Sequence, residues 1–286
     1  MDNNEISLIK DTSEAVKNFS NVIQMFLQPS PIDSAIAEGH KKLIENAIDG
    51  KAINPDVVDF LCGYKKFIKQ QKRCKNIANK AKDFIENSAQ PEKISEDWLE
   101  FFFDKAKLVC NDDMQLIWAK LLAEEANNPG TINPSLLHAM SIMRYDQAEF
   151  FCNISRFALR EFKKDDVHLL IFVSTNRVAY ADSNITPGKL KDLERLGLIE
   201  CDFEKEYIFE NKKILASGNK VLTIYGDPEN DKKIKAGNVN FTYDGKRLYS
   251  LIDQNYKKYR SDVLDFIITK FKNRNCNIIL NDKEII

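Results

Sequence analysis

Apolar residues recur every three or four positions through the first half of the chain, and this period changes near Lys163. From Pro55 to about Asn87 the positions Val57, Leu61, Tyr64, Ile68, Gln71, Cys74, Ala78, Ala81 and Ile85 step by three and four. Gln71 is the one clearly polar member. The spacing predicts a long helix with a coiled-coil-like seam. In "ISEDWLEFFFDKAKLV" Ser95 is placed to cap a helix carrying Trp98, Phe102, Ala106 and Val109 on one face. "NDDMQLIWAKLLAEEANNPG" reads as another helix. Asn111 caps it, Asp112 and Asp113 sit in its first turn, and Met114, Ile117, Trp118, Leu121 and Leu122 form its buried face. Pro129 and Gly130 end it. The Asp pair and the Glu124–Glu125 pair lie three turns apart, too far to share a metal or a substrate atom. The next stretch opens with Asn133 and Pro134 and stays helical in pattern through Phe162, as two helices broken near Tyr145.

Beyond Lys163 the pattern is β-type: "HLLIFVS" (168–174), "YIF" (207–209), "KVLTIYG" (220–226) and "NVNFTY" (238–243). Between the first two of these runs, "ITPGKLKDLERLGLIE" predicts a short helix. Thr186 caps it, Pro187 starts it, Leu190, Leu193 and Leu196 face a core, and Gly197 turns it into a strand at Leu198 and Ile199. A helix of this form followed by antiparallel strands is the pattern of a winged helix. "TYDGKRLYSLIDQNYKKYRSDVLDFIITKFKN" closes the chain as one or two helices capped near Thr242 or Asp244. The expected fold is therefore α+β and mainly α. A helical domain over 1–162 with a long basic helix precedes a winged-helix-like domain over 163–286 with a small antiparallel sheet. Strands are expected only within about 165–245.

Charge sharpens this picture. The chain has 286 residues and a net charge of −1, which hides a local imbalance. "YKKFIKQQKRCKNIANKAK" holds eight cations and no acid, whereas residues 91–150 hold eleven acids against five bases. Placed at 100° per residue, Lys65, Lys66, Lys69, Lys72, Arg73 and Lys80 fall in one arc of about 120° away from the seam. Such a face suits nucleic-acid phosphates or an acidic protein partner, or balances acid elsewhere as a solvated surface. The charges of the would-be recognition helix, Lys189, Lys191 and Arg195 against Asp192 and Glu194, nearly cancel. Lys232, Lys233 and Lys235 are the next basic candidates.

Motifs for catalysis are missing. The three histidines, His40, His138 and His168, are far apart and form no HExxH or ExxH. No phosphate loop, GxGxxG or GxSxG occurs. "EFK" at Glu161–Lys163 with Asp146 has the residue types of a restriction-type nuclease core, but both segments follow the helical period. No metal, cofactor or catalytic residue is assigned. The six cysteines, Cys62, Cys74, Cys110, Cys152, Cys201 and Cys276, form no CxxC pair and read as reduced, mostly buried thiols of a cytoplasmic protein. No apolar run reaches the ~18 residues of a membrane span. The acidic start "MDNNEISLIKDTSEAV" is unlike a secretory signal.

The central block resembles a bacterial domain family of unknown function. The resemblance rests on Asp97, Trp98 and Phe102, then on Asp113, Gln115, Trp118, Ala119, Lys120, Leu122, Ala123 and Glu125, and on Pro129 and Gly130. "FLQPSPIDSAIAEGHKKL", "KRCKNIANKAKDFI" and "LKDLERLGLI" are similar to further segments of that family. The family in turn resembles alpha-type abortive-infection proteins, which implies a role in anti-phage defence or prophage biology and implies no reaction. The expected function is a non-enzymatic interaction or scaffold protein with a protein partner or a second copy of itself. The alternative is a nucleic-acid-binding regulator using the basic helix and the winged helix.

Overall fold

The computed structural model describes residues 13–27, 31–48, 55–164, 166–174, 177–178, 185–229, 231–252 and 261–282. Most of the chain's acidic start lies outside them. The chain divides into two compact units, Met1–Leu137 and His138–Ile286. The division falls inside helix α6.

The first unit is helical among its described residues. It comprises α1 (Glu14–Leu27), α2 (Pro31–Ile48), α3 (Pro55–Ala81), α4 (Glu96–Ala106), α5 (Asp112–Asn127) and the start of α6 (Pro134–Ile142). Its core joins Phe19 and Ile23 of α1, Cys74, Ile77, Ala78 and Ala81 of α3, Phe102 and Phe103 of α4, and Trp118, Leu121 and Leu122 of α5. The Phe102 ring lies 5.2 Å from Trp118 and 5.1 Å from Trp98. Trp98 Nε1 donates to the Ile132 carbonyl at 2.8 Å. Asn111 caps α5 as its sequence predicts, accepting from Met114 N. Ser95 occupies the cap position of α4, but its side chain makes no capping bond.

Glu125 resolves the acidic end of α5. It is 2 % exposed, and its two oxygens accept from Gly130 N at 2.6 Å and Ile132 N at 2.9 Å. The carboxylate thus satisfies the backbone donors of the turn that follows the helix. Burial raises its pKa, and the backbone donors work against that rise.

The second unit carries the rest of α6, then α7 (Tyr145–Ser155), α8 (Pro187–Arg195), α9 (Tyr243–Leu251) and α10 (Ser261–Lys272). Its strands are β1 (Ala158–Glu161), β2 (Val167–Leu169), β3 (Val173–Ser174), β4 (Arg177–Val178), β5 (Ile199–Cys201), β6 (Ile208–Glu210), β7 (Lys212–Ser217), β8 (Lys220–Tyr225), β9 (Lys233–Lys235), β10 (Val239–Phe241) and β11 (Asn277–Asp282). The largest sheet is antiparallel throughout, in the order β11-β8-β7-β1-β2. Two strands lie outside the expected window of about 165–245. β1 begins at Ala158, where Phe157, Leu159 and the β2 hairpin impose alternation on a stretch whose apolar residues also fit a helical period. β11 follows α10 and pairs with β8 along six residues, Asn277 opposite Tyr225 through Asp282 opposite Lys220. Its Asn- and Asp-flanked "NIILND" is too short to separate from a helix end by period alone.

α8 follows its sequence closely. Thr186 accepts from Lys189 N, Leu190 and Leu193 are buried, and Gly197 adopts φ +72° to turn the chain into β5. β5 pairs with β10, Val239 opposite Cys201, and Ile171 bridges to Val239 on the other side. Thr242 caps α9 and donates its hydroxyl to the Gly197 carbonyl at 2.6 Å. Gly245 lies so close to the Leu198 carbonyl that a Cβ would collide with it. These contacts fix α9 against the α8–β5 turn.

Candidate functional site

The basic helix predicted from sequence is α3, and its cations divide into two groups. Lys65, Lys66, Lys69 and Lys72 are exposed, and none forms an ion pair with a described residue. Arg73 is half-buried and donates to the Lys107 carbonyl at 3.1 Å. Lys80 pairs with Asp112 at 2.5 Å. The C-terminal third of the arc therefore ties α3 to its neighbours, and the central two turns face outward. The seam behaves likewise. Cys74, Ala78 and Ala81 are buried, whereas Ile68 is 47 % exposed. Ile77, outside that series, is also fully buried, and Gln71 is half-buried. The side chain of Val57 lies outside the described residues.

On the second unit, Lys233 lies on β9 and pairs with Asp231 at 3.3 Å, while Lys232 and Lys235 are exposed. The cations of α8 are engaged. Lys191 meets Glu194 at 2.7 Å and Arg195 meets Asp192 at 3.0 Å, both one helical turn apart.

A charged cluster absent from the sequence-based expectation lies at the β1–β2 hairpin. Glu161 ends β1, and Asp166 and His168 stand two residues apart on the β2 side. Lys163 turns the hairpin at φ +61°. Glu161 meets Lys213 of β7 at 2.5 Å, Lys164 at 2.6 Å and His168 Nε2 at 3.2 Å. Asp166 meets Lys246 of α9 at 2.6 Å. Burial pushes the Glu161 carboxyl up, but hydrogen bonds from Lys164, Lys213 and His168 outweigh it and hold the pKa at about 2. Burial pushes the His168 ring below its ordinary range, against the pull of Glu161. The ring packs edge-on to Phe209 at 4.8 Å, and its Nδ1 is buried without a hydrogen-bond partner among the described residues.

The potential ligand atoms of Glu161, Asp166 and His168 lie within 4.8 Å of one another. Yet ammonium groups already hold both carboxylates, and His168 lacks the Nδ1 partner that orients a ligating histidine. The arrangement is an ion-pair network linking β1, β2, β7 and α9. The nuclease motif also dissolves, though for a different reason from the one its sequence suggests. Glu161 is on a strand, Lys163 is in a turn, and Asp146 of α7 pairs with Arg144 at 3.0 Å. The signal that could have found the cluster is the alternation Asp166, Val167, His168, which places the acid and the imidazole on one face.

All six cysteines are free thiols, but fewer are buried than expected. Cys74 and Cys276 are buried, Cys152 and Cys201 are half-buried, and Cys62 and Cys110 are exposed. Cys110 sits in the exposed link between α4 and α5, where no core forms around it. No helix among the described residues is long and apolar enough to cross a membrane.

No curated protein and no solved structure matches the chain. A family of proteins of unknown function, DUF2806, matches residues 64–264, a span that takes in the exposed lysines of α3, all of α4 and α5, and the α8–β5 turn but not the "FLQPSPIDSAIAEGHKKL" segment. The match covers well over half of the chain, which belongs to the DUF2806 family.

Proposed function

We propose that this protein is a non-enzymatic interaction protein that docks an acidic protein partner on the outward face of α3. One observation carries the reading. Lys65, Lys66, Lys69 and Lys72 stand exposed and without ion pairs among the described residues, next to exposed Ile68, whereas Arg73 and Lys80 further along the helix are engaged by neighbouring elements. Four like charges over two helical turns repel one another, and an anionic surface relieves that repulsion. An apolar side chain among them adds burial to the contact. The resemblance to alpha-type abortive-infection proteins suggests phage defence as the setting.

A second reading, a nucleic-acid-binding regulator built on a winged helix, is favoured by the pairing of β5 with β10 after α8 and by the Ile171 bridge to Val239. It is weakened by the pairing of Lys191 and Arg195 within α8, which leaves a would-be recognition helix little charge for phosphates.

Affinity capture with the tagged chain tests the proposal. Wild type and a Lys65→Gln, Lys66→Gln, Lys69→Gln, Lys72→Gln variant are compared with and without nuclease treatment. The expected result is a protein partner held by wild type, lost by the variant and resistant to nuclease. Identical recovery by both chains overturns the proposal, and loss on nuclease treatment transfers it to the second reading. Phage plating on cells expressing each chain tests the defence setting.

A further inference from the structure

The five-stranded sheet ends differently at its two edges. β2 is three residues long, all of them buried, and Asn240 of β10 accepts from Leu169 N at 3.4 Å. β11 is six residues long and pairs with β8 alone. Among the described residues, no backbone group of Asn277–Asp282 bonds to anything beyond β8. Alternate residues of a strand turn their N–H and C=O groups away from a single neighbour, so β11 offers a row of open donors and acceptors. Two large apolar side chains stand beside them on opposite faces, Ile279 at 47 % and Leu280 at 42 % exposure. Folded chains protect such an edge with a charge, a proline or a bulge. Residues 277–281, "NIILN", carry no charge and no proline, and their register with β8 runs without a bulge.

The order of side chains points to what covers this edge. Asn277, Ile278, Ile279, Leu280 and Asn281 read alike in both directions, three aliphatic residues between two amides. A second copy laid antiparallel about Ile279 therefore sets like against like. Asn277 faces Asn281 of the second copy, Ile278 faces its Leu280, and Ile279 faces Ile279. When a two-fold axis stands normal to a sheet, only residues on the same face can oppose one another, and this register meets that condition. Ile278 and Leu280 lie opposite Ile224 and Leu222 of β8, both buried, so the pairing continues the apolar inner face across the joint. On the outer face two Ile279 side chains meet between amide pairs.

Charge and closure agree with the same partner. Asp282 is the one charged residue of β11, and it already pairs with Lys220 at 2.6 Å. It stands three positions from the axis, which puts the two copies of it about 20 Å apart. No like charges face each other across the joint. The pairing uses the open edge of both sheets and leaves the buried β2 edge at each end, so assembly stops at two copies.

We propose that the outer edge of β11 binds the same edge of a second copy of this chain, antiparallel and centred on Ile279. The two five-stranded sheets then run on as one. The surface does not involve the α3 lysines and does not depend on what they bind. Five residue pairs make about four to six hydrogen bonds, a small joint, so association is weak and concentration-dependent.

Sedimentation velocity of the full chain between about 1 and 100 µM tests this. The wild-type mass should rise with concentration from 32.9 kDa toward twice that value. Ile279→Lys and Ile279→Glu each set two like charges on the axis, and each variant alone should stay at 32.9 kDa. An equimolar mixture of the two should regain association, because Lys then faces Glu; a merely damaged fold gives no such rescue. Ile279 is at the surface, and a thermal melt checks that each variant folds. Hydrogen exchange of the wild type needs no substitution: amides within residues 277–281 should exchange more slowly at the top of the concentration range than at the bottom. A wild type of 32.9 kDa at every concentration, undiminished association of Ile279→Lys, a mixture no more associated than its components, or exchange in β11 independent of concentration overturns the proposal.

Discussion

Lys80 of α3 and Asp112 of α5 meet at 2.5 Å, joining the end of the most basic segment to the start of the acidic one. The pair marks where the basic face stops being free. Asp112 is 88 % exposed in this pair, so solvent screens the attraction. Asp112 and Asp113 also stand at the positive end of the α5 dipole. Replacing both by asparagine should lower stability by about 1 kcal/mol or less in urea unfolding. Loss of partner binding with an unchanged unfolding curve would show that these aspartates have a functional role.

Trp118 carries far more. It is fully buried, with its indole tilted against the Phe102 ring at 5.2 Å. Trp118→Ala should cost roughly 3–5 kcal/mol, read as a shifted denaturation midpoint.

Glu125→Gln tests the clamp on the turn after α5. A glutamine keeps one acceptor and turns a donor toward Gly130 N or Ile132 N, at a cost of about 1–3 kcal/mol near neutral pH. The folded-state pKa of Glu125 is raised, so its contribution is complete below the unfolded value and declines as pH rises through the folded one. The penalty of the substitution should therefore be larger in mild acid than at neutral pH, when unfolding is measured at both.

The hairpin cluster has the opposite dependence. Glu161, Asp166 and His168 all have folded-state pKa values below their ordinary ones. The unfolded chain binds more protons, and acid destabilises the fold. The Glu161 contribution is complete above about 4.5 and is lost as pH falls through about 2. Glu161→Gln should cost roughly 2–3 kcal/mol near neutrality, the range for hydrogen bonds to charged groups. Its difference from wild type should narrow as pH approaches 2. A constant difference across that window would contradict the network described here.

The helices were legible because each carried both a period and its own punctuation. Asn111, Thr186, Pro187, Gly197 and Thr242 hold the positions their types predict. β1, β7 and β11 were not legible. β1 is only four residues long, β7 and β11 mix apolar residues with polar ends, and part of their pairing is to distant strands: Glu161 pairs with Leu215, and Ile279 with Thr223. The α3 lysines could be placed on one arc from spacing alone. Which of them are engaged could not, because Arg73 and Lys80 are held by residues more than thirty positions away.

The central claim is that the four exposed lysines of α3, Lys65, Lys66, Lys69 and Lys72, form the docking surface. Fluorescence anisotropy with labelled polyglutamate, duplex DNA, single-stranded DNA and RNA, at about 50 and 200 mM salt, tests it most directly. Wild type should bind polyglutamate at low salt and lose it at high salt. The Lys65→Gln, Lys66→Gln, Lys69→Gln, Lys72→Gln variant should not bind it while melting as wild type does. If nucleic acid binds instead, four contacts give a log–log salt slope of roughly −3 to −4, and the second reading takes over. Polyglutamate bound as tightly by the variant as by wild type would contradict the account.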